Sequence, residues 1–374
     1  MASKISRSPA QGLTTTLGSL LHVGTLVLLL TVATSTTTTA SPYPGTGFLY
    51  QDIRGGRLQT LPRSAPEPEV DVAPPSRTGT GATVEVSHFV VYGNTTLSDK
   101  DLGEALKPYS HRTLSDYELH AAADALRARY REAGLFLAEV FIPPQALDDG
   151  VVTLHVYEGA IEEGGVELDA RGGDNVQPET VAAILESTIV TGGVLHRDEI
   201  ERAVLLTDDL PGITSHSIIY PGTAVGEARL RVLTENSSRF TGNIDFDNFG
   251  NYYTGEERLG ATLYWNSPTS KGDQLTLRAV TSGSGSNYLF VDYSVPVSGS
   301  GLRLGANVDY LDYELSGQFS GSSGDAGSIR LFASYPWKRS RHANHNGRLE
   351  YAYLSLEDDA RDGELLSDRR ISTL

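Results

Sequence analysis

The chain has 374 residues, enough for more than one domain, and a formal net charge of −17. Nucleic-acid backbones are bound by clustered Lys and Arg, so this balance argues against a nucleic-acid partner. Cysteine is absent, which removes any disulfide framework and any thiolate chemistry.

At the start of the chain, Lys4 and Arg7 precede an apolar run from Leu20 to Ala33, followed by small residues up to Ala40. That order reads as a secretory signal peptide over residues 1–40. The charge-free run also suits a membrane anchor, but the Thr/Ala tail fits a cleavage site and Pro42 and Pro44 follow it. Residues 41–82 contain Pro62, Pro66, Pro68, Pro74 and Pro75 and are expected to form a flexible, partly extended linker. No helical run is expected before Val84.

Two α+β units follow, over residues 83–159 and 160–235, each in the order strand, helix, helix, strand, strand. In the first, Val84 to Tyr92 is a strand, Ser98 with Asp101 opens a short helix, and Ser115 with Glu118 opens a longer one as a capping box. Leu119, Ala122, Ala123, Leu126, Tyr130 and Ala133 form its apolar stripe, and Gly134 is placed to end it. The strands Phe136 to Ile142 and Val151 to Tyr157 close the unit. The second unit has a strand from Ile161 to Leu168 and Pro178 at a first helical position. A second helix runs from about Asp198 to Thr207, stopped by Pro211-Gly212, before strands Ile213 to Tyr220 and Ala228 to Leu233.

From Arg239 to Tyr353 strand-length segments alternate apolar and polar residues between Gly, Ser, Asn, Asp and Pro turns. Such alternation lets one side of each strand face lipid and the other a watery lumen, as in part of an antiparallel transmembrane β-barrel over residues 236–374. A soluble β-sandwich alternates as well, but tyrosines near strand ends and the signal peptide favour the membrane. Seven segments fit, the seventh less cleanly, because Ala352 and Leu354 intrude on the face opposite Leu349, Tyr351 and Tyr353. A fragment, Arg369 to Leu374, follows. Turn lengths place Asn266–Asp273, Pro296–Gly301 and Pro336–His342 on the side of the α+β units. Asn248–Thr254, Ser282–Ser286, Ser316–Gly327 and Glu357–Asp368 then lie on the other side, the last two as long loops.

The chain resembles the outer-membrane transporters of two-partner secretion, the hemolysin secretion and activation family. The resemblance rests on Asp209-Leu210-Pro211-Gly212, Tyr220-Pro221-Gly222-Thr223, Asp247-Asn248-Phe249-Gly250 and Thr254-Gly255. It continues through Asn266-Ser267-Pro268, Gly272-Asp273-Gln274-Leu275, Tyr293-Ser294-Val295-Pro296, Tyr335-Pro336 and Arg339-Ser340-Arg341. It implies that the two units are polypeptide-transport-associated (POTRA) domains in the periplasm of a Gram-negative bacterium, ahead of the amino-terminal half of the barrel. The family usually has a plug helix, for which no run is evident here, and about twice this number of strands. Its Arg-Gly-aromatic lumen loop would fall beyond Leu374. Seven strands and a fragment cannot close, and unpaired edges in lipid are costly. The expectation is therefore a fragment, a premature stop or an incomplete gene model.

No Gly-x-Ser-x-Gly elbow, His-Glu-x-x-His or phosphate loop is present, so neither an enzyme nor a cofactor is expected. His342 with His345 makes a weak metal pair. Asp245, Asp247 and Asn248 read as lumen and turn residues before they read as cation ligands. The expected function is capture of an unfolded secreted client, a β-helical adhesin or cytolysin, by strand addition at an exposed POTRA edge, followed by passage through the lumen. By resemblance the edges are Phe136 to Ile142 and Ser215 to Tyr220, with Phe136, Leu137, Glu139, Phe141, Ser215, Ser217 and Ile219 as candidate contacts. Proline at Glu139 or Ser217 is expected to weaken binding. Outer-membrane lipid is the other expected partner. The alternatives are an assembly factor of the same superfamily, a passive pore and an inactive fragment.

Overall fold

The computed structural model describes residues 45–55, 69–70, 83–146, 148–171, 174–283, 285–361 and 363–374. The expected signal peptide and most of the expected linker lie outside these residues. Within the linker two elements are described: helix α1, Thr46–Gly55, and a two-residue strand β1, Glu69–Val70. The expectation of no helix before Val84 is corrected by α1. Ten residues with Gly47 in the first turn and Gly55 at the end carry little helix propensity, so packing must hold α1 in place. Leu49, Tyr50 and Ile53 lie on one face at helical spacing and are buried.

The first α+β unit comprises β2 (Thr83–Val86), β3 (His88–Tyr92), α2 (Asp99–Leu106), β4 (Arg112–Ser115), α3 (Asp116–Glu132), β5 (Glu139–Phe141) and β6 (Val151–Tyr157). The single strand expected over Val84 to Tyr92 breaks at Ser87, whose N–H donates to the Gly150 carbonyl at 2.7 Å. The capping box is present: the Ser115 hydroxyl accepts from the Glu118 N–H, and the Glu118 carboxylate accepts from the Ser115 N–H at 2.8 Å. Leu119, Ala122, Ala123, Leu126 and Tyr130 turn α3 onto the sheet β3-β6-β5. Gly134, at φ 90°, takes the left-handed conformation that ends the helix.

The second unit comprises β7 (Ala160–Arg171), α4 (Pro178–Thr188), α5 (Arg197–Asp208), β8 (Ile213–Pro221) and β9 (Glu227–Asn236). Its sheet has the order β1-β8-β9-β7. Ile161, Leu195, Leu230 and Val232 are fully enclosed between this sheet and α4 and α5.

The rest of the chain is one antiparallel sheet in sequence order. Its strands are β10 (Phe240–Asp247), β11 (Arg258–Asn266), β12 (Gln274–Thr281), β13 (Ser286–Pro296), β14 (Arg303–Glu314), β15 (Ser323–Arg339), β16 (Asn344–Asp359) and β17 (Leu365–Thr373). The fragment expected at Arg369 to Leu374 is thus a full eighth strand, paired from Ala352↔Thr373 to Asp359↔Leu365. Asp368-Arg369-Arg370 interrupts its alternation and hides it in the sequence. The two long loops expected at Ser316–Gly327 and Glu357–Asp368 are shorter than read, because β15 begins at Ser323, β16 runs to Asp359 and β17 begins at Leu365.

One face of this sheet is apolar and open: Ile244, Phe246, Val308, Ile329, Leu331 and Leu349 are each at least half exposed. The opposite face buries Asn307, Asp309, Ser328 and Arg330. That is a lipid-facing side and a polar inner side. Leu354 and Leu356, on the inner side, pack into the cluster that holds α1. The irregularity of the seventh segment is therefore the seat of the helix.

Candidate functional site: two strand edges, a polar inner face and a docking seam

The edge at β5 is narrower than expected. Phe136 and Leu137 precede the strand and pack against the core of the second unit, with the Arg197 guanidinium 5.5 Å above the Phe136 ring. They join the two units and do not belong to the edge. Glu139 and Phe141 are exposed; Phe141 stacks on Tyr157 at 5.5 Å, and Glu139 pairs with Arg127 at 3.0 Å.

The direction of the backbone groups can be worked out. A Cβ at Gly93 would lie 2.2 Å from the Val156 carbonyl oxygen, so the polar backbone groups of Val156 face β3. Its partner across the ladder, Val140, therefore turns its N–H and C=O to the free edge. Arg127, on α3, donates to that carbonyl at 3.0 Å. The edge thus offers one outward N–H and one acceptor already capped, a form of edge protection. Glu139 faces β6, so proline there would break the domain's own ladder rather than the outer edge.

At β8, Ser215, Ser217 and Ile219 are buried. The Ser215 hydroxyl donates to the Val204 carbonyl at 3.2 Å, and the Asp208 carboxylate accepts the Ser215 N–H at 3.0 Å. The polar backbone groups of Ser215, Ser217 and Ile219 hence face away from β9. Their side chains face the helices, and Thr214, His216, Ile218 and Tyr220 alternate with them on the outer side. The edge is not free: β1 lies on it in parallel, with Glu69 opposite Ile218 and Val70 opposite Ile219. Where the strand turns, Glu162 accepts the Thr223 N–H at 2.7 Å and pairs with Arg229. The Thr223 N–H and the Arg229 guanidinium hold its carboxyl below the usual range.

Helix α1 crosses the inner face of the large sheet. The Tyr50 hydroxyl donates to Asp309 at 2.5 Å and lies 3.0 Å from the Ser328 hydroxyl. Arg330, paired with Asp309, bonds Asn307 at 3.1 Å and reaches the Tyr50 hydroxyl. The Thr46 N–H donates to Asp358 at 2.8 Å, and the Tyr313 hydroxyl donates to the same carboxylate oxygen at 2.5 Å. Looser ion pairs at 3.6 Å join Asp52 to Arg258 and Arg54 to Glu350. Asp245 and Asp247, considered above as cation ligands, pair with Arg278 at 3.1 Å and Arg258 at 2.9 Å.

The third feature is a seam between the second unit and the turns of the sheet. Asp209 receives two bonds from Arg339, the Ser267 hydroxyl donates to the Pro211 carbonyl at 2.5 Å, and Arg202 donates to the Ser300 carbonyl at 2.8 Å. Asn175 donates to the carbonyls of Gly212 and Ser237 at 2.9 and 2.8 Å. A Cβ on Gly272 would meet Leu210 at 2.6 Å. The short motifs quoted above from residues 209–212, 266–275 and 335–341 meet here. They are a docking surface, and the turns they occupy do lie on the side of the α+β units.

Residues 84–159 match the model "POTRA domain, ShlB-type", and residues 226–373 match "Haemolysin secretion/activation protein ShlB/FhaC/HecB". Over these two stretches the chain is similar to the haemolysin secretion/activation family. It is 26% identical over 277 residues to the heme/hemopexin transporter protein HuxB of Haemophilus influenzae, a match covering 73% of this chain and 48% of that protein. It is also 26% identical over 257 residues to the outer membrane transporter CdiB of Escherichia coli, covering 68% of this chain and 42% of CdiB. The solved structure of CdiB from Escherichia coli superposes with a TM-score of 0.63 at 23% identity, over 81% of this chain and 57% of that one, which shows a shared fold. The chain spans about half the length of the curated relatives it matches. With these matches, the sheet belongs to the outer membrane and the POTRA region to the periplasm.

Proposed function

We propose that this chain acts in two-partner secretion, capturing an unfolded secreted protein in the periplasm and passing it outward along the polar face of the sheet. The observation that supports this most is the β5 edge: one outward N–H at Val140 and an acceptor held only by a side chain from α3. An extended client can add a strand there and take its affinity from backbone bonds, whatever its side chains. Residues 160–235 act as a second POTRA domain, whose edge β1 covers in the state described. Helix α1 lies where the client would pass, held by the buried Leu49, Tyr50 and Ile53 and by polar contacts of Thr46 and Tyr50 to the inner face.

Named relatives support transport of a secreted partner rather than catalysis. HuxB is a heme/hemopexin transporter and CdiB an outer membrane transporter. For this chain the client class is a secreted β-helical adhesin or cytolysin, and outer-membrane lipid surrounds the sheet. Deleting the gene tests the proposal: loss of one extracellular protein with unchanged outer-membrane protein levels is expected. General loss of outer-membrane proteins would instead identify an assembly factor.

A further inference from the structure

The β15–β16 turn contains a change of register that reverses which residues face lipid. Tyr335 is opposite Gly347 and Pro336 opposite Asn346, but Lys338 is opposite His345 and Arg339 opposite Asn344, so Trp337 has no opposite number. One inserted residue inverts the alternation beyond it. Arg339, which would otherwise point outward with Tyr335, turns inward to Asp209. Lys338, which would point inward, comes to share the outer side with His345, Gly347 and Leu349. Trp337 is 71% exposed, and its ring lies over Gly347, where a Cβ would approach it to 3.0 Å.

This places an indole and an ammonium side by side on the lipid-facing surface at the periplasmic rim. Phe240 and Trp265, 5.5 Å apart, are further exposed aromatics where β10 begins and β11 ends, on the side of the α+β units. Lys271, Lys338, His342 and His345 are exposed on this rim. The one carboxylate of the three turns, Asp273, is buried and accepts from the Thr269 N–H at 3.2 Å and the Tyr293 hydroxyl at 2.8 Å. At the opposite rim Glu256, Glu257, Glu314 and Glu364 are exposed. In a chain of net charge −17 the three turns of this rim thus expose lysine and no carboxylate.

We propose that the Trp337–His345 turn binds the headgroup of an anionic phospholipid in the periplasmic leaflet. Lys338 meets the phosphate while its methylene stem lies along the apolar rim, and Trp337 sets the depth at the boundary between headgroup and acyl chain. The seam with Asp209 and the lipid contact are linked, because the same inserted residue aims Arg339 one way and Lys338 the other.

The test uses the full chain with Trp265→Phe, which leaves Trp337 as the only tryptophan of the original two. It is placed in phosphatidylcholine nanodiscs containing phosphatidylglycerol, with bromine on the acyl chains of one lipid or the other. Brominated phosphatidylglycerol is expected to quench Trp337 more strongly than brominated phosphatidylcholine at equal mole fraction. Lys338→Gln is expected to reduce that preference roughly five-fold, while Lys338→Arg keeps it and quenching by brominated phosphatidylcholine stays unchanged. Equal quenching by both lipids, a preference that survives Lys338→Gln, or loss of the preference on adding millimolar inorganic phosphate would each overturn the proposal. None of these outcomes bears on client capture.

Discussion

Arg339 bonds Asp209 through two nitrogens, at 2.7 and 2.8 Å, and so ties the end of β15 to the end of α5. The Arg339 side chain is 5% exposed and also donates to Asn344 at 2.9 Å. A guanidinium fork held on both sides fixes direction as well as distance. The second unit is thereby held at one angle to the sheet.

Replacing Arg339 by Ala should cost about 2–3 kcal/mol of junction stability, since it strands a charged partner in a partly buried site. Hydrogen exchange at residues 209–212 and 266–273 should rise while α3 stays protected. Arg339→Lys should restore little, because an ammonium cannot make both bonds in one plane.

Tyr50→Ala should release α1. The ring and hydroxyl are both buried, and truncation of a buried aromatic costs about 3–5 kcal/mol, more than a ten-residue helix can recover alone. Limited proteolysis should cut near Arg54 in the variant and spare it in the parent. Tyr50→Phe, which keeps the ring but leaves Asp309 and Arg330 to each other, should give an intermediate rate.

Arg127→Ala removes the cap on the Val140 carbonyl and should tighten client capture roughly three- to five-fold, the scale of one net hydrogen bond. Affinity of the purified chain for its secreted partner, measured by calorimetry, checks this. Weaker binding would mean that Arg127 contacts the client instead of guarding the edge.

Stability should depend on pH through Glu162. Its carboxyl lies below the ordinary value of 4.5 in the folded chain, so its contribution is fully present above 4.5 and is lost as pH falls through the lower folded value. Glu167, lowered by Arg231 and Tyr220, acts in the same direction. Thermal melts between pH 7 and 3 should show a smaller drop for Glu162→Gln than for the parent.

Much of the fold was legible because its signals are periodic. The capping box at Ser115, the stripe from Leu119 to Tyr130 and the alternation along β10 to β15 follow from local chemistry. Three features could not be read that way. Helix α1 has almost no propensity and exists through Tyr50, Thr46 and Leu49 meeting residues about 260 to 310 positions away. Strand β17 is concealed by adjacent charges. The alternation along the edges does not give their direction: the side chains of Ser215, Ser217 and Ile219 turn inward, Phe136 and Leu137 belong to the joint between units, and the outward backbone at β5 is that of Val140. The spacing of Leu49, Tyr50 and Ile53 ahead of Gly55 was the one signal that could have revealed α1.

The central claim is that a secreted client adds to the POTRA edge. Photo-cross-linking in living cells tests it most directly, with a photoreactive amino acid at Phe141 beside the β5 edge and a control at Phe246 on the lipid-facing side. The account expects one extracellular protein in the Phe141 adduct and none at Phe246. Absence of that adduct, or capture of newly made outer-membrane proteins in its place, would contradict it.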